Sequence, residues 1–232
     1  MPDLAQSTFI LPQDATLTTA QAALKQKIHN FIMANYQADK THLLIVSGDA
    51  GSGKSVVLDA AFAQLQQAAR AGVGPLAGTD NKLIVNHNEM LKIYKEIAGA
   101  KSYFRKKDFM KPTPFINAYR KAGKRADIVF IDEGHLLLTA PDPYNNFRDA
   151  NQLTDILQLA RLVVLVFDFH QLVKLKSFWT QALLKRITSG YSVAHFQLTE
   201  QMRVGDAAVN NWIDQFVRGR ITPLPHPEKF DF

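Results

Sequence analysis

The chain has 232 residues, of which 47% are hydrophobic and 21% charged, the composition of an ordinary globular protein. It contains no cysteine, which excludes disulfide frameworks, zinc–thiolate sites and a thiol nucleophile. No apolar run approaches the roughly 20 residues needed to cross a bilayer. The first residues lack the basic and apolar segments of a secretion signal, so we expect a cytoplasmic protein without membrane contact.

The basic residues are concentrated in one part of the chain. Lysine and arginine exceed aspartate and glutamate by 27 to 21, a net charge of +6, and the stretch 101–125 contains many of the basic residues but only one acid, Asp108. The aromatic residues among these charges include Tyr103, Phe104 and Phe109. Such a mixture can neutralise phosphates and stack bases. We therefore predict a nucleic-acid contact at Arg105, Lys106 and Lys107, the alternative being a solvated helical surface.

Five short apolar runs predict β-strands, at residues 43–46, 83–86, 128–131, 162–167 and 193–198. Helical patterns lie between them. Continuous apolar strands that alternate with helices are typical of a parallel sheet covered on both faces. The predicted fold class is therefore α/β, a three-layer domain around a mainly parallel central sheet.

The sequence also predicts what lies on either side of the sheet. Residues 1–40 read as a helical preface to the same domain, capped at Thr18 or Thr19, with four inward positions: Ala22, Ile28, Phe31 and Ile32. The main domain is expected over residues 41–222. Residues 223–232 begin with alternating prolines and read as a tail.

Residues 48–55 read Gly-Asp-Ala-Gly-Ser-Gly-Lys-Ser, a complete G-x-x-x-x-G-K-S/T phosphate-binding loop between a strand and a helix. A helix that begins at such a loop directs N–H groups and its positive dipole end at phosphate oxygens. The helix pattern places Val57, Ala61, Leu65 and Ala68 inward and Asp59, Gln64, Gln66 and Arg70 on the other side. The candidate ATP-binding residues are Gly48, Gly51, Ser52, Gly53, Lys54 and Ser55.

Two adjacent acids, Asp132 and Glu133, follow the apolar run 128–131. Carboxylates at the end of a buried strand need a cation or hydrogen bonds to offset desolvation. We expect Asp132 to hold Mg²⁺ through a water, together with Ser55, and Glu133 to orient and deprotonate an attacking water. The alternative is a strand that ends in a solvated acidic turn.

Polar residues also follow the last two predicted strands. Gln171 comes after the run 162–167, and Arg203 comes after the run 193–198. The carboxyl ends of parallel strands line the ligand crevice of an open α/β sheet, so both side chains are predicted to lie near Lys54. An amide there can detect a γ-phosphate, and a guanidinium can neutralise charge that develops during phosphoryl transfer.

In this order, the motifs resemble the first RecA-like domain of superfamily 1 helicases. In particular, they resemble the Schlafen group 3-like DNA/RNA helicase domain family, which carries a phosphate loop, an Asp-Glu-Ala-His box, an Asp-x-x-Gln box and a Leu-x-x-Gln-Met-Arg box. Residues 198–203 here read Leu-Thr-Glu-Gln-Met-Arg. The resemblance implies that Lys54 and Ser55 engage phosphate and magnesium, that Asp132 and Glu133 are the metal and base carboxylates, and that Gln171 and Arg203 are the γ-phosphate sensor and arginine finger.

The resemblance extends to three further positions. Residues 17–21 are similar to the upstream helicase segment whose glutamine reads adenine, which implies a base contact for Gln21. His87 and Asn88 correspond to a segment that contacts single-stranded nucleic acid, although helix capping by Asn86 or Asn88 explains these residues equally well. His135 is either a link between the two sites or a satisfied histidine near the core.

The chain departs from the family pattern at three points. Gly134 stands where alanine is usual, a change of small residue that is expected to be harmless. Leu136 and Leu137 stand where relatives often have an arginine. The second RecA-like domain of such helicases is expected to be missing, so unwinding by this chain alone is not expected, and the chain is interpreted as a fragment or as a single-domain nucleotide switch.

The sequence thus predicts an enzyme, a helicase-like ATPase domain with ATP and Mg²⁺ as ligands and single-stranded DNA or RNA as partner. Two alternatives remain open at this point. One is a P-loop kinase in which the stretch 101–125 supplies a basic lid, and the other is a non-catalytic nucleic-acid-binding module in which nucleotide is structural.

Overall fold

The computed structural model describes residues 17–48, 51–168 and 177–198, with isolated residues beyond 207. The helices in this part are α1 Thr19–Asn35, α2 Lys54–Arg70, α3 Asn88–Ala100, α4 Pro112–Ala122, α5 Gln152–Gln158 and α6 Gln181–Thr188. The strands are β1 His42–Gly48, β2 Asn81–Ile84, β3 Phe109–Met110, β4 Ala126–Ile131, β5 Ala160–Phe167 and β6 Ser192–Leu198. Short 3₁₀ turns cover Lys106–Asp108, Gly134–Leu136 and Pro143–Asn145.

The strands form one parallel sheet in the order β3-β2-β4-β5-β1-β6. The predicted α/β class is confirmed, and all five predicted strands are present. The prediction missed β3 because two residues, Phe109 and Met110, are too few to give a period. No helix in the described ranges is long and apolar enough to cross a membrane.

The two faces of the sheet carry separate cores, because side chains alternate along each strand. Leu44 and Val46 of β1 face a core completed by α1, α2 and α3. Leu43 and Ile45 of the same strand face the other core, completed by α4, α5 and α6. This is the three-layer architecture that the sequence predicts for a P-loop NTPase domain.

An aromatic cluster fills the first core. Phe62 of α2 is 1% exposed and contacts the rings of Phe104, Phe109 and Phe130 at centroid distances of 5.9, 5.6 and 5.4 Å. The expectation that Phe104 and Phe109 stack bases is therefore wrong, since both are buried behind the basic residues. Five hydrophobic residues of the stretch 101–125 are buried in the two cores: Phe104, Phe109, Phe115, Ile116 and Tyr119.

Helix α2 is enclosed on more than one side, which corrects the predicted polar face. Asp59 and Gln66 were expected to face away from the core, yet they are 8% and 0% exposed. The Tyr94 hydroxyl of α3 donates to both Asp59 oxygens, at 2.7 and 2.9 Å, and Asn81 of β2 donates to Gln66. Neighbouring elements cover both flanks, so polar residues there are buried with polar partners.

Helix α1 begins where the sequence predicts. Thr18 is the N-cap, and its hydroxyl accepts from the Gln21 backbone N–H. Ile28 and Ile32 pack in the first core as expected, but Ala22 is exposed and Leu24 takes its place. A shift of two positions along a helix turns a side chain by about 200°, so a small error in phase reverses the assignment.

The predicted basic patch is divided by the fold. Arg105, Lys106 and Lys107 are exposed beside Asp108, which pairs with Arg70 at 3.1 Å. Arg70 ends α2, about 24 Å along the helix from Lys54. Further along the stretch, Arg120 pairs with Asp149 and Asp155. The three exposed residues thus lie at the amino edge of the sheet, the edge where the strands begin, opposite the phosphate loop.

Phe62 tests how far the aromatic cluster stabilises the fold. We expect Phe62→Ala to lower the free energy of unfolding by about 3–5 kcal/mol, because truncation leaves a cavity among three other rings. Urea unfolding monitored by circular dichroism measures the change. Val73→Ala is the control, since Val73 is 76% exposed and its loss should matter by less than about 0.5 kcal/mol. Equal effects of the two variants would contradict the assigned core.

Candidate functional site

The carboxyl ends of three adjacent strands bring the candidate catalytic residues together. Strand β5 lies between β4 and β1 and pairs in parallel with both. Gly48 ends β1, Asp132 follows β4 and Asp168 follows β5. Parallel pairing therefore aligns the phosphate loop with the two acids at one edge, here called the carboxyl edge.

The phosphate loop enters α2 through Gly53, which is the N-cap and has φ +82°. This left-handed conformation favours glycine. Gly51 also has a positive φ, and Asp49 and Ala50 lie outside the described residues. The Ser52 side chain is fully buried, and its hydroxyl has no hydrogen-bond partner among the residues that the structure describes. A buried donor of this kind fits a phosphate oxygen as acceptor.

Lys54 is the first residue of α2 and is 8% exposed. Its Nζ donates to the Gly48 carbonyl at 2.7 Å and lies 3.7 Å from an Asp168 oxygen. The ammonium group is thus held over the loop, where a triphosphate could replace the carbonyl as its partner. Asp168 was not among the predicted site residues, although an acid directly after a buried strand is the same signal that marks Asp132.

Ser55 and Asp132 meet across the site. The Ser55 hydroxyl donates to Asp132 Oδ1 at 3.2 Å, and the Glu133 backbone N–H donates to the same oxygen at 3.0 Å. Burial raises the pKa of Asp132 to about 6, with repulsion from Glu133 adding to the effect and the two hydrogen bonds opposing it. The folded chain therefore carries a carboxylate whose charge is only partly compensated by protein groups.

These oxygens fit a magnesium ion. Mg²⁺ prefers oxygen ligands and usually takes one or two protein oxygens, with phosphates and waters completing its octahedron. Ser55 and Asp132 supply such a pair, and a cation would offset the charge that burial disfavours. Within the described ranges no group of three or more His, Cys, Asp or Glu could hold a metal ion.

Glu133 occupies an unusual backbone position beside this pair. Its φ is +52°, in the left-handed region, and one of its carboxylate oxygens lies 3.3 Å from His135 Nε2. His135 is 3% exposed, whereas the Glu133 side chain is 35% exposed. The strained turn presents the Glu133 carboxylate at the surface of the site, and the histidine fixes its direction.

Gly134 explains why the turn holds this shape. A Cβ at this position would lie 2.4 Å from Leu165 Cδ1 and 2.9 Å from the Val166 carbonyl oxygen. An alanine Cβ would therefore fit here only if its neighbours shifted. The expectation that glycine at this position does not harm catalysis stays a prediction. The absent side chain lets the turn pack directly on β5.

Gln21 reaches the phosphate loop from α1. Its Nε2 donates to the Ser52 carbonyl at 3.2 Å, and its Oε1 accepts from the Thr18 backbone N–H at 3.1 Å. The residue predicted to contact the base thus lies at the site, but both of its polar atoms bond to the chain. Gln171 and Arg203, the predicted sensor and arginine finger, lie outside the described residues.

A groove of about 840 Å³ opens at the carboxyl edge next to the turn Gly134–Leu136. It is bounded by the segments that follow β2, β3 and β4, and its lining includes Asn86, Asn88, Lys111, Leu136, Tyr144 and Ser177. Tyr144 is 94% exposed, so its ring is available for stacking. Sequence reasoning missed Tyr144 because a single aromatic residue in a loop has no periodic signal.

The structure separates the two predicted nucleic-acid segments. Asn88 lines the groove, and the exposed residue His87 precedes it as the N-cap of α3 without a side-chain capping bond. Arg105, Lys106 and Lys107 lie at the opposite, amino edge. Lys111, just before α4, is the basic residue of the stretch 101–125 that lines the groove.

The sequence of the chain matches a known protein family. The model of the Schlafen group 3 DNA/RNA helicase domain matches residues 41–232. An uncharacterized protein of Saccharomyces cerevisiae is 35% identical over 229 residues, which cover 91% of this chain and 50% of that protein. The chain therefore spans about half the length of this relative.

Two solved structures were also compared with the chain. AMPPCP-bound DnaA from Aquifex aeolicus has 13% identity and a TM-score of 0.41, and the match covers 96% of this chain and 58% of that chain. The Hef helicase domain from Pyrococcus furiosus has 13% identity and a TM-score of 0.41, with coverages of 76% and 37%.

Because the pKa of Asp132 is raised, we predict that replacing Asp132 by the neutral residue asparagine stabilises the protein, and that the gain depends on pH. The folded state holds the Asp132 proton more tightly than the unfolded chain, so the free energy of unfolding falls as the pH rises from about 4 to about 6. Asp132→Asn removes this penalty and should stabilise the ligand-free protein by about 1–3 kcal/mol at pH 8. The gain should shrink as the pH is lowered towards 4.

Urea unfolding of both proteins at pH 8 and pH 4.5 measures the difference. Asp39→Asn is the matched control, because Asp39 is exposed on the loop after α1. The same gain at both pH values would argue against ionisation of Asp132 as its cause.

Proposed function

The chain belongs to the Schlafen group 3 DNA/RNA helicase domain family, and on this premise we propose that it binds and hydrolyses ATP with Mg²⁺ and couples nucleotide state to contact with single-stranded DNA or RNA. The proposal concerns this domain. Strand separation would require a further RecA-like domain and is not proposed for the chain alone.

One observation carries the proposal, namely the hydrogen bond at 3.2 Å between Ser55 of the phosphate loop and Asp132 after β4. It brings the residue pair suited to Mg²⁺ next to Lys54, which lies one residue earlier on α2. Glu133 follows Asp132 directly and presents its carboxylate at the site. An acid directly after the metal carboxylate suits activation of a water for hydrolysis, which favours this reaction over transfer of phosphate to an acceptor.

The proposed reaction is attack of water on the γ-phosphate, which breaks the bond from the γ-phosphorus to the β,γ-bridging oxygen and releases ADP and inorganic phosphate. Lys54 and the loop N–H groups hold the phosphates, and Glu133 takes the proton of the attacking water while His135 keeps its carboxylate in position. A magnesium ion held by Ser55 and Asp132 would supply charge neutralisation at the phosphate oxygens. Gln171 and Arg203 are proposed as γ-phosphate sensor and arginine finger on the basis of the family resemblance.

The proposed path for nucleic acid is the groove beside Tyr144. The turn Gly134–Leu136 belongs to both places, since it follows Glu133 on one side and lines the groove with Leu136 on the other. Single-stranded nucleic acid in the groove would therefore contact the turn Gly134–Leu136, which also positions Glu133, the proposed general base. His87 and Asn88 are proposed contacts there, and Arg105, Lys106 and Lys107 form a second proposed contact at the amino edge.

Glu133 and Lys54 test the catalytic assignment. We expect Glu133→Gln to lower the rate of ATP hydrolysis by about 10²–10⁴-fold while ATP still binds, because the base is lost and the phosphate contacts remain. Lys54→Ala should abolish tight binding, because its charge-assisted contacts disappear. A phosphate-release assay with and without single-stranded DNA or RNA gives the rate, and calorimetry gives the affinity.

The matched control is Glu89→Gln, which removes an exposed carboxylate on α3 that pairs with Lys92. Its hydrolysis rate should equal that of the wild type. Hydrolysis unaffected by Glu133→Gln would contradict the assigned base, and retention of ATP without turnover in the wild type would favour a non-catalytic binding module. Transfer of phosphate to an added acceptor would favour a kinase.

Tyr144 tests the proposed nucleic-acid path. We expect Tyr144→Ala to weaken binding of single-stranded DNA or RNA by about 1–3 kcal/mol, the usual value of one base–aromatic stack. Tyr144→Phe should retain most of the affinity, because the ring is kept. Fluorescence anisotropy with labelled oligonucleotides at a fixed salt concentration measures both variants.

The comparison variant carries Lys106→Ala and Lys107→Ala at the amino edge. If the groove is the main path, this variant binds nearly as tightly as the wild type at moderate salt. A large loss in the double lysine variant with no loss in Tyr144→Ala would place the nucleic acid at the amino edge instead.

A further inference from the structure

The side-chain amide of Gln21 joins the phosphate loop to the N-cap of helix α1. It is the third residue of α1 and is 5% exposed. Nε2 donates to the Ser52 carbonyl at 3.2 Å, while Oε1 accepts from the Thr18 backbone N–H at 3.1 Å. The donor side of the amide thus faces the loop, and the acceptor side completes the cap of its own helix.

The amide also packs on the residue that follows Ser52. A Cβ at Gly53 would lie 2.3 Å from Gln21 Nε2, so the amide touches the loop backbone where φ is +82°. Ser52 and Gly53 directly precede Lys54, the residue that holds the phosphates in the proposed function. Gln21 therefore contacts the two positions that set the direction in which the loop enters α2.

Recognition of adenine by a carboxamide requires a different arrangement. A glutamine that reads adenine donates from its nitrogen to N7 and accepts at its oxygen from the N6 amino group, so both atoms must face the base. Here both atoms are bonded to the chain, and the side chain is almost fully buried. Each atom retains capacity for one further hydrogen bond, but the existing bonds and the burial direct the amide at the phosphate loop and the cap of its own helix.

We propose that Gln21 is a positioning residue of the phosphate loop, which holds the Ser52 carbonyl and thereby supports triphosphate binding without selecting the base. The proposal rests on the proposed nucleotide binding. It replaces the expected adenine contact with a contact that serves every nucleoside triphosphate alike.

Gln21→Glu separates the two contacts of the amide. Glutamate at the third helix position still accepts from the N-cap backbone N–H, so the capping box and α1 are kept. Its carboxylate cannot donate to the Ser52 carbonyl, so the loop contact is lost. Gln26→Glu is the matched control, because Gln26 lies on the same helix and is exposed.

The first readout is the affinity for ATP, GTP, CTP and UTP, measured by calorimetry. We expect Gln21→Glu to weaken all four by the same factor, about 2- to 12-fold, the effect of one lost hydrogen bond. The ratio of ATP to GTP affinity should stay at its wild-type value. Gln26→Glu should change none of the four affinities.

The second readout is hydrogen exchange of the ligand-free protein. The backbone amides of residues 51–55 should exchange faster in Gln21→Glu by a similar factor, while those of α1 keep their protection. This measurement does not need nucleotide. If the wild type binds no nucleotide, the proposed function fails, and the exchange result still decides the role of Gln21.

Two outcomes would overturn the inference. One is a loss of affinity confined to ATP with unchanged exchange in the loop, which would assign Gln21 to the base. The other is a Gln21→Glu variant in which amide exchange of residues 51–55 and the affinities for all four nucleotides are unchanged. This would show that the contact of Gln21 with the Ser52 carbonyl does not support the loop.

Discussion

The hydrogen bond between the Ser55 hydroxyl and the Asp132 carboxylate joins parts of the chain 77 residues apart. It can form only because β4, β5 and β1 are adjacent and parallel, so that the end of β4 and the loop after β1 open on the same side. The positions of Ser55 and Asp132 relative to each other are therefore set by the register of the sheet rather than by the loops themselves. The proposed hydrolysis of ATP and the proposed nucleic-acid groove both use that shared edge.

The arrangement has an electrostatic cost. Burial raises the pKa of Asp132, and it raises the pKa of Asp59 well above its usual range, with repulsion from Asp132 adding to the second effect. Asp59 is stabilised by the Tyr94 hydroxyl, whereas Asp132 faces the ligand side of the loop. Asp132 thus places a carboxylate where a cation could bind, whereas the more deeply buried Asp59 has the Tyr94 hydroxyl as its hydrogen-bond donor.

The sequence predicted the elements that carry a strong local signal. The apolar strands, the Thr18 cap and the helix that follows the loop 48–55 were all found at or near their predicted positions, because each depends on a few neighbouring residues. The burial of Asp59, Phe104 and Phe109 could not be predicted, since it depends on which elements cover a helix flank after folding. The tight packing of Gly134 on β5 is a contact between distant segments that one sequence does not reveal.

The three polar attachments of α2 have a mechanical consequence. Asp59 bonds to α3 near the start of the helix, Gln66 bonds to β2 further along, and Arg70 bonds to Asp108 at the end. A helix fastened at intervals to three partners resists sliding and rolling, since each movement would break a buried polar contact. Helix α2 is therefore a fixed element of the fold. Under the proposed function, displacement on phosphate loss would then fall to the segments at the carboxyl edge.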